Sequence, residues 1–594
     1  MNIFLIFINL ILWATGPKTS ETFEVYIRVN QVGYLPGESK TAIVFSKQSV
    51  RENFNLLNVE GQIAKVIKPV RSKADGWDSF PYNYSLDFTD IQQEGSYALV
   101  GVKSGAKSTT FKISTKAYSG YSNDLLGFMQ QQRCGYNPFL DIVCHQRDGR
   151  SMYGKMPDST FVDASGGWHD AGDQLKYLIT GSYATAHMLM AYELYLDRFE
   201  DKVNHLGQPG PNGISDILDE AKWGLDWLLK LHHTPDQLIH QIADDRDHRG
   251  WKMPDNDPSD FGWGPNSYRV AYFATGKPQG LNKYKSIATG MANLAGRSAA
   301  ALTIGSRIWR NIDRSFSEKC LRSAKSLYQL GKDNEGFQQG NSYGAPYRYT
   351  EETWADDMEW GAAELYKVTK ENSYLEDAKK YARQINVTSW MELDSAAHYQ
   401  YYPFINMGHY ALYESVDEDF KNTLASYYRS GIENTKKRAS SNAFGIGVPF
   451  IWCSNNLLTS LITQTILYEK MTGDESYRQF MTEQKDWLFG RNPWGTSMFM
   501  NIPENGEYPV DVHTSIWAMT KQEVPGGLVD GPVFGSIYKL LSALVLSNDD
   551  EFGEVQNSYV VYHDDIGDYS TNEPTMDGTA GSLIMMGYFS PVIK

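Results

Sequence analysis

The chain has 594 residues, more than one hydrophobic core usually holds, so we expect at least two domains. Its 41% hydrophobic and 21% charged residues are typical of a folded soluble protein. The net charge of −16 argues against a nucleic-acid partner, which would require a basic surface, and favours a neutral ligand. Aromatic residues make up 13% of the chain, which indicates either a large aromatic core or grooves on which sugar rings stack.

Residues 1–20 predict a signal peptide. An apolar run covers residues 3–14 of MNIFLIFINLILWATGPKTS and is too short to cross a bilayer comfortably. The run lacks the usual preceding Lys or Arg, so a membrane anchor or a buried strand stays open as an alternative. No later segment of the sequence resembles a transmembrane helix. We therefore expect a secreted, periplasmic or cell-surface protein with no membrane span in the mature chain.

Residues 24–114 have the pattern of an antiparallel β-sandwich. Short apolar runs follow one another, separated by turn signals such as EGQ (60–62) and EGS (94–96). The expected strands are TAIVF (41–45), FNLLNV (54–59), AKVIKPV (64–70), YSLDF (84–88), SYALVGV (96–102) and TTFKIS (109–114). Many short strands at this spacing predict an antiparallel sandwich.

Residues 118–594 change to a helical period. Ile214, Leu218, Ala221 and Leu225 recur at helical spacing, and residues 288–309 predict a second helix. Two segments that resemble each other, LYKVTKENSY (365–374) and LYEKMTGDESY (467–477), indicate repeated antiparallel helix pairs. We expect a large all-α domain whose long loops carry the function.

Two acidic clusters suggest chemistry. GGWHDAGDQ (166–174) holds Asp170 and Asp173, and VYHDDIGDYSTNEPTMDGTAGS (561–582) holds Glu573. Such acids can bind a metal, cap a helix or work as an acid–base pair. Glycoside hydrolysis needs two carboxyl groups across the scissile bond, one protonated and one ionised, and these two loops could supply them.

GGWHDAGD together with STNEPTMDGTAGS resembles the paired active-site stretches of glycoside hydrolase family nine, the inverting cellulase-type enzymes. DILDEAKWGLDWLLKLHH (216–233), WADDMEWGAAELYKVT (354–369), FGRNPWGTS (489–497) and PGGLVDGPV (525–533) are similar too, and IRVNQVGYLP (27–36) resembles the immunoglobulin-like module that often precedes this domain. The resemblance implies an (α/α)6 barrel with an open aromatic cleft. By position, Asp173 resembles the general base, Asp170 the partner that helps to hold the attacking water, and Glu573 the general acid.

The sequence departs from the family where an arginine usually contacts a sugar hydroxyl. The family has His-x-Arg, whereas this chain has His513-Thr514-Ser515. His513 is expected either to reach the substrate or to make a loop hydrogen bond. Trp360, Trp452 and Tyr569 are further candidates for the cleft, and either tryptophan could equally be a core residue.

A possible metal site lies upstream of the first acidic loop. Cys134, Cys144, His145 and His169 form a Cys2His2 set, which suits tetrahedral zinc with no open position. A Cys134–Cys144 disulfide is the alternative in an exported protein. Because a similar zinc set occurs in bacterial members of the family that the chain resembles, we favour structural zinc and expect no cofactor for catalysis.

The adjacent acids Asp356 and Asp357 could bind calcium, as a corresponding acidic pair does in some members of that family. Acids in the first turn of a helix are the alternative. Cys320 and Cys453 are expected to be isolated buried thiols.

The leading hypothesis is therefore an exported, monomeric, inverting endo-β-1,4-glucanase that acts on cellulose-like β-glucans. An exo-acting cellodextrinase or exo-β-glucosaminidase is the alternative, which the absent arginine keeps open. A zinc-dependent hydrolase is disfavoured because four protein ligands leave the metal no open position. A non-catalytic carbohydrate-binding protein would not need Asp170, Asp173 and Glu573.

Overall fold

A computed structural model describes residues 24–280, 283–385 and 407–593 of the chain. The predicted signal peptide lies outside these residues. Within them, no helix is both long enough and apolar enough to cross a membrane.

The N-terminal strands form two antiparallel four-stranded sheets. The strands are β1 (Val25–Arg28), β2 (Thr41–Ser46), β3 (Phe54–Asn58), β4 (Ile63–Ile67), β5 (Val70–Arg71), β6 (Tyr82–Asp87), β7 (Gly95–Gly101) and β8 (Phe111–Ile113). One sheet has the order β1-β2-β6-β5 and the other β4-β3-β7-β8. Their inward side chains share one apolar core, in which the ring of Tyr34 packs edge-on against Phe88 and Phe111. The predicted sandwich is confirmed.

The rest of the chain is mainly helical. Its helices are α1 (Tyr121–Gln131), α2 (Leu178–Leu194), α3 (Asp216–Leu231), α4 (Ala292–Trp309), α5 (Arg314–Asp333), α6 (Ala355–Thr369), α7 (Asn372–Ile385), α8 (Met407–Tyr413), α9 (Glu418–Ala439), α10 (Ser454–Thr472), α11 (Arg478–Leu488), α12 (Ser515–Thr520), α13 (Gly535–Tyr538) and α14 (Met576–Phe589). The two predicted helices correspond to α3 and α4. The two similar segments are the turns that join α6 to α7 and α10 to α11.

Six of these helices contact one another in a closed ring. The order around the ring is α14, α2, α4, α6, α8, α10 and back to α14. Helices α2, α10 and α14 are buried on nearly every side, because each packs against ring neighbours and against the helix outside it. Six more helices lie outside the ring, namely α1, α3, α5, α7, α9 and α11. Helix α5 shows the contrast, since its buried residues lie on one side and its other side carries the charges.

Short strands fasten the long loops at one end of this ring. They are β9 (Tyr136–Asn137), β10 (Ile142–Val143), β11 (Asp148–Met152), β12 (Lys176–Tyr177), β13 (Ile239–Ile242), β14 (Arg269–Phe273), β15 (Leu528–Val529), β16 (Val533–Phe534), β17 (Val560–Val561) and β18 (Pro574–Thr575). Strand β12 lies directly before α2, and β18 directly before α14. Both acidic loops are therefore tied to helices that are neighbours in the ring.

The sandwich packs against the helical region through buried polar contacts. Lys485 of α11 pairs with Glu38 at 2.9 Å and donates to the hydroxyl of Tyr118 at 2.6 Å. Asn30 donates to the carboxylate of Asp486 at 2.8 Å. Because a buried charge is stable only when it is paired, these contacts hold the two regions in one relative position.

Candidate active site and metal cluster

The loop that carries Asp170 and Asp173 is anchored by its own tryptophan. Trp168 is 1% exposed, and its indole N–H donates to Glu220 of α3 at 2.7 Å. The amide of His169 donates to the carbonyl of Gln132 at 2.8 Å, and the amide of Cys134 donates to the carbonyl of Gly167 at 2.9 Å. A loop rich in glycine thus has a fixed position, because a buried aromatic ring and a short antiparallel ladder hold it.

The two acidic loops meet at Gly172. Its amide donates to Oε1 of Glu573 at 2.9 Å, across 401 residues of sequence. A Cβ atom at this position would lie 2.1 Å from the carbonyl oxygen of His513 and 2.8 Å from Oε1 of Glu573. Only glycine therefore allows the backbone of the first loop to approach the acid of the second.

Asp173 lies beside a histidine that the sequence analysis missed. One carboxylate oxygen accepts from the amide of Leu175 at 2.8 Å, and the other lies 3.1 Å from Nε2 of His248. Burial opposes protonation of His248, but the hydrogen bond and the charge of Asp173 outweigh it and raise the pKa of His248 to about 9. At neutral pH the imidazolium and the carboxylate form an ion pair.

Asp170 is more enclosed than Asp173. It is 3% exposed, and its oxygens accept from the hydroxyls of Thr180, at 2.5 Å, and Tyr349. Burial, followed by the charges of Asp577 and Asp173, raises the pKa of Asp170 well above its usual value.

Glu573 is surrounded by conditions that favour its protonated form. Burial raises its pKa well above the usual value, and the negative charges of Asp530 and Asp173 add to the effect. The Gly172 hydrogen bond and the charge of His248 oppose the shift but do not cancel it. A carboxyl that keeps its proton near neutral pH can donate it to a leaving group.

An aromatic wall extends from the acids. The ring of Trp251 lies 4.6 Å from His513, Tyr569 lies 6.0 Å from His513, and Trp452 lies 5.9 Å from Tyr569. His513 also has the loop hydrogen bond that was the alternative, since its Nδ1 lies 2.6 Å from the carbonyl of Ile566. The structure therefore brings together His513, Trp452 and Tyr569, three of the four residues predicted to bind substrate, and that role stays a prediction.

Trp251, Tyr347 and His248 belong to the same wall and were not predicted. Trp251 is 39% exposed, and the ring of His248 packs edge-on against Tyr347 at 4.4 Å. The stretch DHRGW (247–251) combines an acid, a histidine and a tryptophan in a polar loop, as GGWHDAGD does. That shared composition is the signal that could have identified it.

The prediction that Trp360 lines the cleft is wrong. Trp360 is 0% exposed, and it lies in α6 with the ring of His187 edge-on at 6.3 Å. Helix α6 is part of the inner ring of helices, so this tryptophan is a core residue.

The structure also argues against calcium at Asp356 and Asp357. Both residues lie buried in the first turn of α6, and Arg297 of α4 is 2.8 Å from Oδ1 of Asp357. A guanidinium already supplies the positive charge that a cation would bring. The alternative of acids in a helical first turn agrees with this position.

Ser515 occupies the position at which an arginine was expected. Its hydroxyl donates to the carbonyl of Gly172 at 3.2 Å, and the residue is 7% exposed. The side chain thus supports the acidic loop and does not extend into the cleft.

The four predicted metal ligands come together. The ligand atoms of Cys134, Cys144, His145 and His169 all lie within 4.8 Å of one another, and all four cysteines of the chain are free thiols. Two thiols and two imidazoles fit a closed tetrahedral zinc site. Nε2 of His145 lies 3.4 Å from Asp257, which is the outer carboxylate contact that commonly orients a metal-binding imidazole.

The cluster is connected to the surroundings of Asp173 along two indirect routes. His169 directly precedes Asp170 in the chain. Along the other route, Asp257 pairs with Lys252 at 3.2 Å, and Lys252 pairs with Asp247, the neighbour of His248, at 2.7 Å. Displacement of the four ligands would therefore disturb both the acidic loop and the histidine beside it.

A sandwich module followed by a helical domain in which two acidic loops converge is the arrangement expected of a glycoside hydrolase. A family model of glycosyl hydrolase family 9 matches residues 118–586, and a model of the cellulase N-terminal ig-like domain matches residues 23–105. The chain therefore belongs to glycosyl hydrolase family 9 and is an enzyme of the cellulase type.

Curated relatives agree with this assignment. Endoglucanase D of Acetivibrio thermocellus is 26% identical over 531 residues, which cover 86% of this chain and 78% of the relative. A cellodextrinase of Butyrivibrio fibrisolvens is 25% identical over 516 residues, which cover 81% of this chain and 85% of the relative.

Solved structures share the fold. A metagenome-derived glycoside hydrolase family 9 endoglucanase superimposes with a TM-score of 0.76 at 24% identity, over 95% of this chain and 99% of that chain. A zinc-binding triple mutant of the family 9 endoglucanase J30 gives a TM-score of 0.75 at 22% identity, over 94% of this chain and 100% of that chain.

Proposed function

We propose that the protein hydrolyses β-1,4-glucosidic bonds of cellulose-like glucans by inversion, with Asp173 as the general base and Glu573 as the general acid. The observation that carries this proposal is the contact at Gly172, where two carboxyl groups with opposite surroundings converge. Asp173 lies beside a cation, His248, whereas Glu573 lies beside other carboxyl groups. One acid is thereby suited to accept a proton and the other to donate one.

In the proposed reaction, Glu573 transfers its proton to the glycosidic oxygen as the bond to the leaving sugar breaks. Asp173 takes a proton from a water molecule, whose oxygen forms the new bond to the anomeric carbon from the opposite face. Asp170 helps to hold this water, and the hydroxyls of Thr180 and Tyr349 fix its carboxyl group. Trp251, His513, Tyr569 and Trp452 bind the sugar rings by stacking and hydrogen bonding.

Exo-action on short oligosaccharides is the second candidate. Ser515 supports the acidic loop where an arginine would contact a sugar hydroxyl, so the subsite next to the scissile bond is altered. A cellodextrinase is also among the relatives of this chain. An exo-β-glucosaminidase is a further possibility of the same kind.

We infer that the Cys2His2 cluster holds structural zinc. A zinc ion there would neutralise the two thiolates and fix the loop that precedes Asp170. With four protein ligands it would have no open position for water or a sugar oxygen. The same cluster atoms argue against the disulfide, since all four cysteines are free.

We further propose the (α/α)6 barrel for residues 118–594, the immunoglobulin-like domain for residues 24–114 and export through the segment 1–20. The closed ring of six helices, with six more outside it, supports the barrel. A glucan polymer is too large to enter a cell, which supports export. The protein is proposed to act as a monomer.

Two measurements test the function. Proton NMR early in the hydrolysis of a β-linked oligosaccharide should show the α-anomer forming first, whereas an initial β-anomer would contradict inversion and the role of Asp173. A product profile over soluble β-glucans, cello-oligosaccharides and chitosan oligosaccharides then separates the candidates. A ladder of products indicates endo-action, and one dominant short product indicates exo-action.

The decisive variant is Glu573→Gln, which keeps the shape of the side chain and removes its proton. We expect a loss of about 10²–10⁴-fold in kcat on an unactivated oligosaccharide, with binding largely kept. On an aryl glycoside whose leaving group needs no proton, the loss should be much smaller. Activity within a few-fold of wild type on the oligosaccharide would remove Glu573 from the role.

A further inference from the structure

Glu573 faces a second buried carboxyl group that has no role in the proposed reaction. Strands β15 and β18 pair Leu528 with Thr575 and Val529 with Pro574. The next pair in this register is Asp530 with Glu573, and the amide of Asp530 donates to the carbonyl of Glu573 at 2.9 Å. Side chains at directly opposite positions of an antiparallel pair lie on the same face, with Cβ atoms roughly 4.5–5.5 Å apart.

Two like charges at opposite positions destabilise each other, so both carboxyl groups cannot easily be ionised together. Asp530 is 1% exposed and has no solvent to screen its charge. The pair therefore titrates as a unit and retains one proton over the pH range between its two ionisations. Which residue holds that proton decides whether Glu573 can act as an acid.

The thiol of Cys453 lies where it can influence which of the two carboxyl groups holds the proton. Its thiol donates to Oδ1 of Asp530 at 3.1 Å, from the position directly before α10. Burial and the charge of Asp530 raise the pKa of Cys453 well above its usual value, so the group stays a thiol and can donate. A hydrogen bond to a carboxylate stabilises the ionised form. Aspartic acid is also intrinsically somewhat more acidic than glutamic acid.

The backbone of Cys453 is itself in an unfavourable conformation. Its φ is 55° and its ψ is 42°, in the left-handed region that non-glycine residues rarely adopt. A cysteine at this position has a conformational cost relative to glycine.

Resting on the proposed role of Glu573, we propose that Asp530 and Cys453 are positioning residues for the general acid: the thiol of Cys453 stabilises the carboxylate form of Asp530, so that the proton shared by the pair stays on Glu573.

Other groups around the pair also act on Asp530. Burial, and then the charges of Asp577 and Asp568, raise its pKa well above the usual value, whereas hydrogen bonds from Cys453 and Trp452 oppose this shift. Asp568 faces Asp530 but is paired with His563 at 2.8 Å and accepts from Ser570 and Thr571. Asp577 also faces Asp530, and its carboxylate accepts from the amide of Gly578 at 2.8 Å. Asp173 of the first acidic loop and His248 of the segment after β13 face Glu573 with opposite charges.

Asp530→Asn tests the electrostatic part. Without the opposite charge Glu573 ionises more readily, so the alkaline limb of the kcat profile on an unactivated oligosaccharide should move to lower pH by about one unit or more. The acidic part of the profile should stay within a few-fold of wild type. An alkaline limb at the wild-type position would overturn the proposal.

Variants of Cys453 test the proton's location without changing a charge. Cys453→Ser keeps a donor and should preserve the profile, whereas Cys453→Ala lets Asp530 take the proton and should lower kcat about tenfold on the oligosaccharide. The same alanine variant should be nearly wild type on an aryl glycoside with a good leaving group, which needs no acid. Equal losses on both substrates would mean a merely structural role and would also overturn the proposal.

Cys320→Ser is the matched control, because Cys320 is a buried thiol in α5 outside the site, and it should change neither profile. Glu573→Gln distinguishes a failure of the proposed function from a failure of the proposal for Asp530 and Cys453. If Glu573→Gln keeps its activity, the proposed function fails. If Glu573→Gln is inactive while Asp530→Asn and Cys453→Ala resemble wild type, only this inference fails.

Discussion

The two acidic loops place their carboxyl groups in opposite electrostatic surroundings. The first loop places Asp173 against His248, whose pKa is raised to about 9, and keeps it close to the surface of the cleft. The second buries Glu573 opposite Asp530 and within reach of the Asp173 charge. A cation beside one carboxyl favours the charged form, whereas burial and like charges beside the other favour the neutral form.

The comparison shows that the different protonation expected for the two carboxyl groups does not come from the residue types. Asp and Glu have similar intrinsic pKa values, so an isolated pair would ionise together below neutral pH. The partners of each acid come from distant segments: His248 follows β13, and Asp530 follows β15. Changing a partner should therefore alter one loop and leave the other, which the following variants exploit.

The largest effect is expected for Asp173→Asn. The amide cannot accept a proton from water, so kcat on an unactivated oligosaccharide should fall about 10²–10⁴-fold. Unlike Glu573→Gln, this variant should lose activity on aryl glycosides as well, because attack by water is needed for every leaving group. Asp163→Asn is the control, since Asp163 is exposed and lies in the same stretch before β12. An Asp173→Asn enzyme within a few-fold of wild type would place the base elsewhere.

The second-largest effect is expected for variants of the four predicted metal ligands. His169→Ala removes one ligand next to Asp170, and positional errors near 1 Å can cost about a hundredfold in rate. We expect about one zinc per wild-type chain, as the proposed four-ligand site holds a single ion. The variant should have little zinc, a lower melting temperature and a lower kcat with an unchanged pH optimum. Elemental analysis and a thermal melt check this.

Cys134→Ser should show the same losses as His169→Ala. Mass spectrometry that finds a Cys134–Cys144 disulfide in metal-free, fully active protein would contradict the zinc assignment. It would leave Asp173 and Glu573 untouched.

A smaller effect is expected for His248→Gln. The variant removes the cation and the hydrogen-bond partner beside Asp173, so kcat/KM at pH 6 should fall about tenfold. The alkaline limb, which depends on Glu573, should move little. A variant that keeps the wild-type rate at pH 6 and shifts only the alkaline limb would show that His248 serves the other loop.

The ion pair of His248 and Asp173 should also make the stability of the wild-type protein depend on pH. The pKa of His248 is raised above its unfolded value of about 6.5, so the pair contributes its full stability below that pH. This contribution is lost as the pH rises through about 9. Melting temperatures of wild type and His248→Gln should therefore differ most near pH 6 and converge above pH 9.

The smallest effect is expected for the aromatic wall. Trp251 is 39% exposed, so Trp251→Ala should raise KM several-fold with a lesser change in kcat, which indicates lost binding common to ground and transition states. Trp360→Phe is the matched contrast, because that tryptophan is fully buried in α6. It should lower the melting temperature and leave KM unchanged. An exchange of these two outcomes would contradict the assignment of the cleft.

Much of the architecture is local and could be predicted. The alternating strands of the sandwich and the periodic apolar residues of α3 and α4 follow from burial of one face of each element. Asp170, Asp173 and Glu573 were proposed as site residues from the composition of their stretches and from the family resemblance. Cys134, Cys144, His145 and His169 were proposed as metal ligands from their residue types and from the same resemblance. The immunoglobulin-like module and the family could be predicted from motifs such as IRVNQVGYLP and GGWHDAGD.

Contacts between distant segments were decided only by the tertiary structure. Trp360 and Trp452 were equal candidates in the sequence, yet Trp360 is fully buried in the ring of helices and Trp452 packs against Tyr569 in the aromatic wall. The sequence gives Asp357 no partner, whereas the structure places Arg297 of another helix beside it. His248 lies beside Asp173, which is 75 residues away in the chain, and Asp530 lies opposite Glu573 because of the register of two strands. A sequence pattern reports which residue types a segment contains, whereas burial and opposing charge depend on which segments pack together, and those two terms set whether a carboxyl group keeps its proton.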